Sequence, residues 1–341
     1  MPDGIQDRTV NPIFTLVCRQ IVHLTVLAEL ILAPILIYVI LNYSRQVQSY
    51  KYFLLNNIIW CLTYAMLVAS TNAHIRFPAP CITFAPLFLV QNFPATAMSA
   101  AFLGCGLNMA ISTAWGLVQR LAFATNGPFV RRIRRHPHRY VLAIIAYHIL
   151  VTTTYLYAFQ KVVITDRERL YDEFTMRVPH LKFLANTTLY ACVEYLPNTR
   201  LYCYLTALVC IFFICLEFIA FAVLYREVHR NSAKLSLQTH RMQLVLLRAV
   251  AFQLLNYFVI VILPVVLSTI AFGVQFKYTE ELTTLTETCL TLHGIIDYVC
   301  ILYFITPYRR AVGRLVRWQK KVKSESVVVA TRRLNVSQRS I

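Results

Sequence analysis

The chain of 341 residues is 58% hydrophobic and only 14% charged, and its net charge is +18. Soluble globular proteins have about a quarter of their residues charged, so this composition excludes a large soluble core and indicates a membrane protein with several spans. The positive charge does not indicate a nucleic-acid partner, because the cations lie between long apolar runs and not on a polar surface with interleaved aromatic residues.

Residues 1–20 precede the first apolar run and include Asp3, Asp7 and Arg8. They lack the basic segment and the small-residue cleavage site of a secretory signal peptide. We therefore expect an extracellular N-terminal segment over residues 1–20, followed by a first span that is retained.

Seven apolar runs are long enough to cross a bilayer, which requires about 20 residues for each helix. In chain order they are Ile21–Leu41, Tyr52–Ala73, Phe93–Val118, Tyr140–Phe159, Leu201–Leu224, Leu244–Ala271 and Thr284–Ile305. The pattern predicts an all-α membrane protein, a seven-transmembrane helix bundle over residues 21–305.

Lys and Arg are distributed unequally between the segments that connect these runs. The first, third and fifth connections and the segment after Ile305 carry 22 of them, whereas the N-terminal segment and the other connections carry 10. Cytosolic segments carry this excess in membrane proteins, which predicts that the N-terminus lies outside and the C-terminus inside. Of three Asn-x-Ser/Thr tripeptides, only the one at Asn186 falls on the predicted outside, so Asn186 is the candidate glycosylation site.

Ionisable side chains within the spans must face the bundle interior or find a partner, because a charge in hydrocarbon is costly. Asp297 and Glu217 both lie deep in their spans, towards the cytosolic face, and predict an internal polar network that includes His293. Glu29 lies higher and is expected either to face the bundle interior or to line a pocket. His293 and His148 have no second histidine four residues away, so neither predicts a metal site.

Two cysteines, Cys81 and Cys192, fall on the predicted outside, in an oxidising compartment. A disulfide between them would join the second and fourth loops. Cys203, at the outer end of span five, is the alternative partner for either cysteine. The cysteines inside the spans are expected to act as small hydrophobic side chains.

The segment after span seven changes abruptly from apolar to basic at Pro307. Residues 306–323 predict an amphipathic helix on the inner leaflet, with Val312 on its apolar face and Arg310 and Arg314 on its basic face. Anionic lipid or a cytosolic partner would meet the cations. The alternative is that this helix only anchors and orients the last span. Residues 324–341 are expected to be a cytosolic tail.

Particular motifs resemble a known receptor family. "WGLVQRLAF" places Gln119 and Arg120 at the cytosolic end of span three, and "LHGIIDYVCILYFITPYRR" closes span seven at Pro307. With "YKYFLLNNIIW" in span two and "SLQTHRMQLVLLRAVAFQLLNYFVIVILP" in span six, these motifs resemble the nematode serpentine chemoreceptors of the Str superfamily, class H more than class I. The resemblance extends from about Tyr50 to Arg310.

This resemblance implies a G-protein-coupled chemosensory receptor, without a cofactor or enzymatic activity, in the plasma membrane of sensory-neuron cilia. It implies a small environmental ligand and a heterotrimeric G protein as partners. The residues expected at the coupling face are Gln119, Arg120, Arg131, Arg134, Arg226, Arg241, Pro307, Tyr308 and Arg309. Arg120 is expected to act as a switch; the alternative is a flanking charge that only orients span three. Gln119 stands where many receptors carry an acid, so the usual carboxylate–arginine pair is missing.

The ligand is expected between the outer halves of spans three, five, six and seven. Judged by depth alone, the pocket walls would include Asn92, Phe93, Tyr202, Gln253 and Tyr257. Such an apolar and aromatic lining suits a small, largely apolar molecule.

Three other function classes fit the sequence less well. A secondary transporter usually shows internal repeats and spans interrupted by Gly and Pro, whereas this chain has no repeat and eight glycines. A channel of the insect-odorant type has its N-terminus inside, contrary to the charge distribution. An intramembrane enzyme would need paired aspartates, a Ser/His pair or metal-spaced histidines, and the sequence contains none of these.

Overall fold

The structure is a computed structural model. Its described residues include seven helices that are long and apolar enough to cross a membrane, which confirms the predicted bundle. The helices are α1 (Pro12–Tyr43), α2 (Lys51–Thr71), α3 (Ala95–Thr125), α4 (Pro137–Val162), α5 (Thr199–Arg230), α6 (residues 237–273) and α7 (Thr279–Phe304). The structure describes residues 11–43, 51–76, 81–85, 94–125, 137–164, 189–193, 199–230, 237–305 and 308–314.

Several helices extend beyond the apolar runs that predicted them. Helix α1 begins at Pro12 and not at Ile21, so it includes part of the segment expected to precede the first span, and α3 continues to Thr125. The apolar run marks only the part of a helix that crosses hydrocarbon. The backbone hydrogen bonds of the helix continue through the more polar residues at the membrane faces.

Helix α6 contains a wide turn in its middle. It consists of the α-helical Leu237–Asn256, the π-helical Tyr257–Ile262 and the α-helical Leu263–Gly273. The N–H of Leu263 donates to the carbonyl of Phe258, five residues back. Pro264 follows immediately and has no N–H to donate, so the wide turn accommodates it without breaking the helix.

Four short strands cover one end of the bundle, which we call the sheet end; the opposite end, where α7 leads into residues 308–314, is the tail end. The strands are β1 (Ala73–Arg76), β2 (Cys81–Phe84), β3 (Val163–Ile164) and β4 (Leu189–Val193), antiparallel in the order β1-β2-β4-β3. Asn72, with a φ of 43°, turns the chain from α2 into β1. Only loops were predicted here, because strands this short show little alternation in sequence.

The main hydrophobic core lies between α1, α2, α3 and α7 and includes the buried side chains of Leu36, Ile58, Tyr64, Phe102 and Tyr298. The hydroxyl of Tyr298 donates to the carbonyl of Ile58 at 2.9 Å, so the ring joins α7 to α2 without leaving a buried polar group unsatisfied. A smaller cluster joins α5 to α6. Large apolar side chains on α1, α4 and α5 point outwards, as expected for helices that face lipid.

Residues 308–314 are helical, so the described part of the predicted basic helix 306–323 has the expected conformation. Tyr308 and Ala311 are buried, and Arg310 and Arg314 are exposed. The guanidinium of Arg314 lies 5.2 Å from the ring centre of Tyr43 in α1. This segment therefore packs against the bundle on its apolar side and presents its cations outwards.

Candidate functional site

A buried carboxylate, Asp297 of α7, stands at the centre of a polar layer inside the bundle. Its side chain is 2% exposed. One oxygen accepts a hydrogen bond from Nδ2 of Asn57 in α2 at 2.7 Å, and the other accepts from Nε2 of Gln253 in α6. The hydroxyl of Thr113 in α3 donates to Oδ1 of Asn57 at 3.3 Å. These donors solvate the carboxylate in place of water, which makes its burial tolerable.

A second set of polar side chains joins α2, α3 and α4 around His148. Nδ1 of His148 donates to Oδ1 of Asn108 at 2.5 Å, and Nε2 accepts from Nδ2 of Asn56 at 3.2 Å. Asn56 also donates to the hydroxyl of Ser112 at 2.7 Å, and Nδ2 of Asn108 donates to that of Thr152 at 2.9 Å. A single tautomer of His148 satisfies both contacts.

The two sets form one layer because their members are neighbours in the chain. Asn56 and Asn57 are adjacent in α2, and Ser112 and Thr113 are adjacent in α3. The layer therefore crosses the bundle from α4 through α3 and α2 to α7 and α6.

His293 lies one turn of α7 nearer the sheet end than Asp297, and it also contacts α6. Its Nδ1 accepts from Nδ2 of Asn256 at 3.0 Å, and its ring centre lies 5.7 Å from that of Tyr257. Its Nε2 is buried and has no hydrogen-bond partner among the described residues. His293 and Asp297 thus bind two different residues of α6, Asn256 and Gln253, on the tail-end side of the wide turn.

A cavity lies beside this layer. It is lined by residues of α2, α3, α5, α6 and α7, namely Phe53, Leu54, Asn57, Ser112, Thr113, Gly116, Glu217, Val250, Gln253, Leu254, Tyr257 and Asp297. The centres of water molecules can occupy about 50 Å³ of it, and one water needs ~10–15 Å³ on this measure. The cavity therefore has room for a few waters, and it brings together the predicted network residues Glu217 and Asp297.

Two of the residues expected in an outer ligand pocket, Gln253 and Tyr257, are described and lie deep in the bundle. Gln253 is 20 residues from the sheet-end terminus of α6 at Gly273, a distance of about 30 Å along a helix. Gln253 and Tyr257 therefore line the inner cavity, deeper than the ligand-pocket expectation assumed. Asn92 and Phe93 lie outside the described residues, and only the helical backbone of Tyr202 is described.

Glu29 of α1 is fully buried against the backbone of α7 and does not line an open pocket. A Cβ placed on Gly294 would collide with Oε1 of Glu29, so only glycine permits this contact. The carboxylate approaches the amide of Ile295 without meeting hydrogen-bond geometry, and both oxygens lack partners in the described structure. The contact sets the distance between α1 and α7.

The cations expected to couple to a G protein are described only in part. Arg226 of α5 and Arg309 are exposed, and the guanidinium of Arg309 lies 5.9 Å from the ring centre of Tyr303. Tyr308, which was assigned to the same face, is only 2% exposed and packs into the core. For Gln119, Arg120 and Arg241 the helical backbone alone is described, and Arg131, Arg134, Pro307 and Asn186 lie outside the described residues.

Cys81 and Cys192 form a disulfide between β2 and β4, where they face each other in the strand register. Cys203, the alternative partner, is a free cysteine. The bond joins two segments 111 residues apart and holds the sheet over the bundle.

Six residues of the polar layer were not singled out as site residues from the sequence: Asn56, Asn57, Asn108, Ser112, Thr113 and Thr152. Each is an uncharged polar residue within an apolar run, and that was the available signal. Asn56 and Asn57 occur in the motif of span two that contributed to the family resemblance.

Comparison with known families agrees with this architecture. The family model described as serpentine type 7TM GPCR chemoreceptor Srh matches residues 16–318. That match includes nearly all of α1, the other six helices, the sheet and the described tail segment. The sequence has no significant match among curated proteins. The seven-helix fold and the length of the match together show that the chain belongs to the Srh family of serpentine seven-transmembrane chemoreceptors, a family of receptors and not of enzymes.

Proposed function

We propose that this chemoreceptor binds a small environmental molecule between the sheet-end halves of its helices and activates a heterotrimeric G protein at its tail end. The observation that carries the proposal is the pair of hydrogen bonds by which Asp297 of α7 holds α2 and α6. Helices joined at one buried point have a closed arrangement that a ligand can disfavour. Loss of the contact with Gln253 would free the tail-end half of α6 to move.

The small cavity next to Asp297 supports this role. Packed protein interiors do not deform continuously, and side chains need free space to adopt a second arrangement. The cavity lies between α6 and the helices that face it, with Gln253 and Asp297 both in its wall. It therefore provides space into which the polar layer can rearrange when α6 moves.

The orientation of the receptor follows from charge and from cysteine chemistry. The tail-end connections and the C-terminal segment carry most of the Lys and Arg residues, which favours the cytosol for that end. The sheet end carries the disulfide Cys81–Cys192, which favours an oxidising exterior. Both features support an N-terminus on the outside, and the family supports a location in the plasma membrane of sensory cilia.

The tail end would then hold the docking surface. Arg226 and Arg309 are exposed there, and the helical backbones of Arg120 and Arg241 lead to the same end of the bundle. The exposed cations of residues 308–314 are placed to contact anionic lipid headgroups of the inner leaflet. We assign the switch role to Arg120, because α3 carries it towards the tail end, about 10 Å beyond the cavity residue Thr113 along the helix.

A reporter assay tests this function. Cells that express the receptor and a reporter G protein are exposed to a panel of volatile and water-soluble compounds, with Arg120→Ala and Arg139→Ala compared at equal surface expression. Arg139 is an exposed tail-end arginine of α4 and serves as the matched control. We expect a ligand-dependent signal in the wild type and in Arg139→Ala, and none in Arg120→Ala. A ligand-gated current that persists without any G protein would contradict the proposal.

A further inference from the structure

Glu287 of α7 is a buried carboxylate in the sheet-end half of the bundle that none of the contacts described so far uses. Its side chain is 6% exposed, and its Oε1 is buried without a hydrogen-bond partner in the described part of the chain. It lies eight residues after Thr279, the first residue of α7, or about 12 Å below the sheet end of the helix. This is the depth at which the proposed ligand would bind.

The threonines around Glu287 do not satisfy it. The hydroxyls of Thr284, Thr288 and Thr291 each donate to a backbone carbonyl of α7 itself, at 2.9, 2.9 and 2.8 Å. Their donors are thereby used within the helix. Glu287 is left with an acceptor that faces no donor, an arrangement that is costly inside a membrane protein and that marks functional positions.

One aromatic side chain, that of Tyr64, lies near Glu287. Tyr64 of α2 lies within electrostatic range of the carboxylate, and its ring centre is 5.6 Å from that of Phe102 in α3. One turn of α3 nearer the sheet, the buried hydroxyl of Ser99 also lacks a described partner. A carboxylate oxygen without a donor, near an aromatic side chain, can accept a hydrogen bond from an organic cation that also lies on the ring.

The other buried carboxylates are less suited to bind a ligand. Asp297 already accepts hydrogen bonds from two side-chain amides. Glu29 is packed so closely on Gly294 that not even a methyl group fits between them. Glu217 lines the small cavity towards the tail end, below the depth at which the ligand is proposed to bind.

We infer that Glu287 is the recognition residue of the ligand pocket and that the ligand is a small protonated amine. The ammonium group would donate to the free carboxylate oxygen and lie against the ring of Tyr64, while its apolar part packs among α2, α3 and α7. The inference rests on the proposed function, because it names the ligand class of the same receptor.

A binding experiment that requires no G protein tests the ligand class. The full-length receptor is purified in lipid nanodiscs, and its unfolding temperature is measured with propylamine, hexylamine, octylamine and 2-phenylethylamine, each paired with the alcohol of the same carbon skeleton. A ligand that binds only the folded receptor raises Tm. We expect at least one amine to raise Tm and its matched alcohol to have a much smaller effect.

Variants of the two unpartnered carboxylates locate the site. Glu287→Gln removes the charge and preserves the shape, and it should weaken the amine about tenfold to a hundredfold. Glu29→Gln is the matched control, since Glu29 is also a buried carboxylate with an unpartnered oxygen, and it should leave the response to the amine unchanged. Glu287→Asp retains the charge and should retain the preference for amine over alcohol.

The inference is overturned if no amine raises Tm, if the alcohols act as well as the amines, or if Glu287→Gln binds the amine as the wild type does. The comparison of amine with alcohol uses the wild type alone, so it decides the matter even if Glu287→Gln does not fold. Amine binding without G-protein activation would contradict the proposed function and leave this inference standing. Activation by compounds that are not amines, with no amine bound, would contradict this inference alone.

Discussion

Asn57 of α2 and Asp297 of α7 lie 240 residues apart in the chain and are joined by a hydrogen bond of 2.7 Å in the middle of the bundle. Since Gln253 of α6 donates to the second oxygen of the same carboxylate, three helices meet at one side chain. The strength of this junction should therefore determine both the stability of the bundle and the freedom of α6.

Replacement of Asn57 by alanine should weaken this junction. Asn57→Ala removes one of the two donors of a buried carboxylate, and the free energy of unfolding should fall by about 1–3 kcal/mol. Ligand-independent signalling should rise, because α7 is then held less firmly to α2. Both effects are measured by thermal unfolding of the purified receptor and by basal reporter activity.

Thr63→Ala provides the control for Asn57→Ala. Thr63 is an exposed residue of α2 whose hydroxyl donates to the carbonyl of Ile59 in its own helix. Thr63→Ala should change neither the unfolding temperature nor the basal reporter activity. Equal unfolding temperatures for the two variants would show that the bond to Asp297 does not stabilise the bundle.

Gly294→Ala should separate α1 from α7. The added Cβ collides with the carboxylate of Glu29, and overpacking of a core in this way costs about 1–3 kcal/mol. Gly116→Ala is the matched control, because a Cβ at Gly116 meets no atom within 4 Å. The double variant Glu29→Ala/Gly294→Ala should recover part of the loss in a thermal unfolding series. If the single Gly294→Ala variant unfolds at the wild-type temperature, the close contact is not essential.

Cys81→Ser removes the disulfide that joins β2 to β4. Removal of a native disulfide commonly costs about 2–5 kcal/mol, so surface expression and Tm should both fall. Cys192→Ser and the double serine variant should behave as Cys81→Ser does, because each removes the same bond. Cys215→Ser, at an exposed free cysteine of α5, should have no effect. A further fall in the double variant would indicate that the two cysteines act separately.

The orientation is tested with inserted epitopes. An epitope placed between Arg131 and Arg134 should be detected only after cells are permeabilised, whereas one within residues 1–10 should be detected on intact cells. The physical reason is the retention of cationic connections in the cytosol. Detection of the Arg131–Arg134 epitope on intact cells would reverse the assignment of both faces and with it the coupling surface.

The sequence predicted the parts of this fold that depend on hydropathy and charge. Seven apolar runs of sufficient length lead to seven helices, and the burial of Asp297 follows from the cost of a carboxylate in hydrocarbon. The partners of Asp297 could not be predicted in the same way. Whether Asn57 or Gln253 faces it depends on how each helix is rotated about its axis, and tertiary packing decides that rotation.

Other features depend on contacts between distant segments. The pairing of β2 with β4 joins residues 111 positions apart, and neither strand has a strong pattern of its own. Tyr308 was assigned to the coupling face because a basic segment follows it, yet the helix turns its ring into the core. Gln253 was expected in the outer half, although it lies 18 residues before Ala271, the outer end of its apolar run.

The wide turn of α6 at Tyr257–Ile262 has a consequence for the length of the chain. A π-helical turn contains one residue more than the α-helical turn it replaces, and one residue of an α-helix corresponds to a rotation of about 100°. Deletion of a single residue from this stretch would rotate Leu237–Asn256 about the helix axis and turn Gln253 away from Asp297. Leu263–Gly273, next to the sheet, would keep its position. The direction in which the signalling half of α6 faces is thus set by one amino acid of chain length.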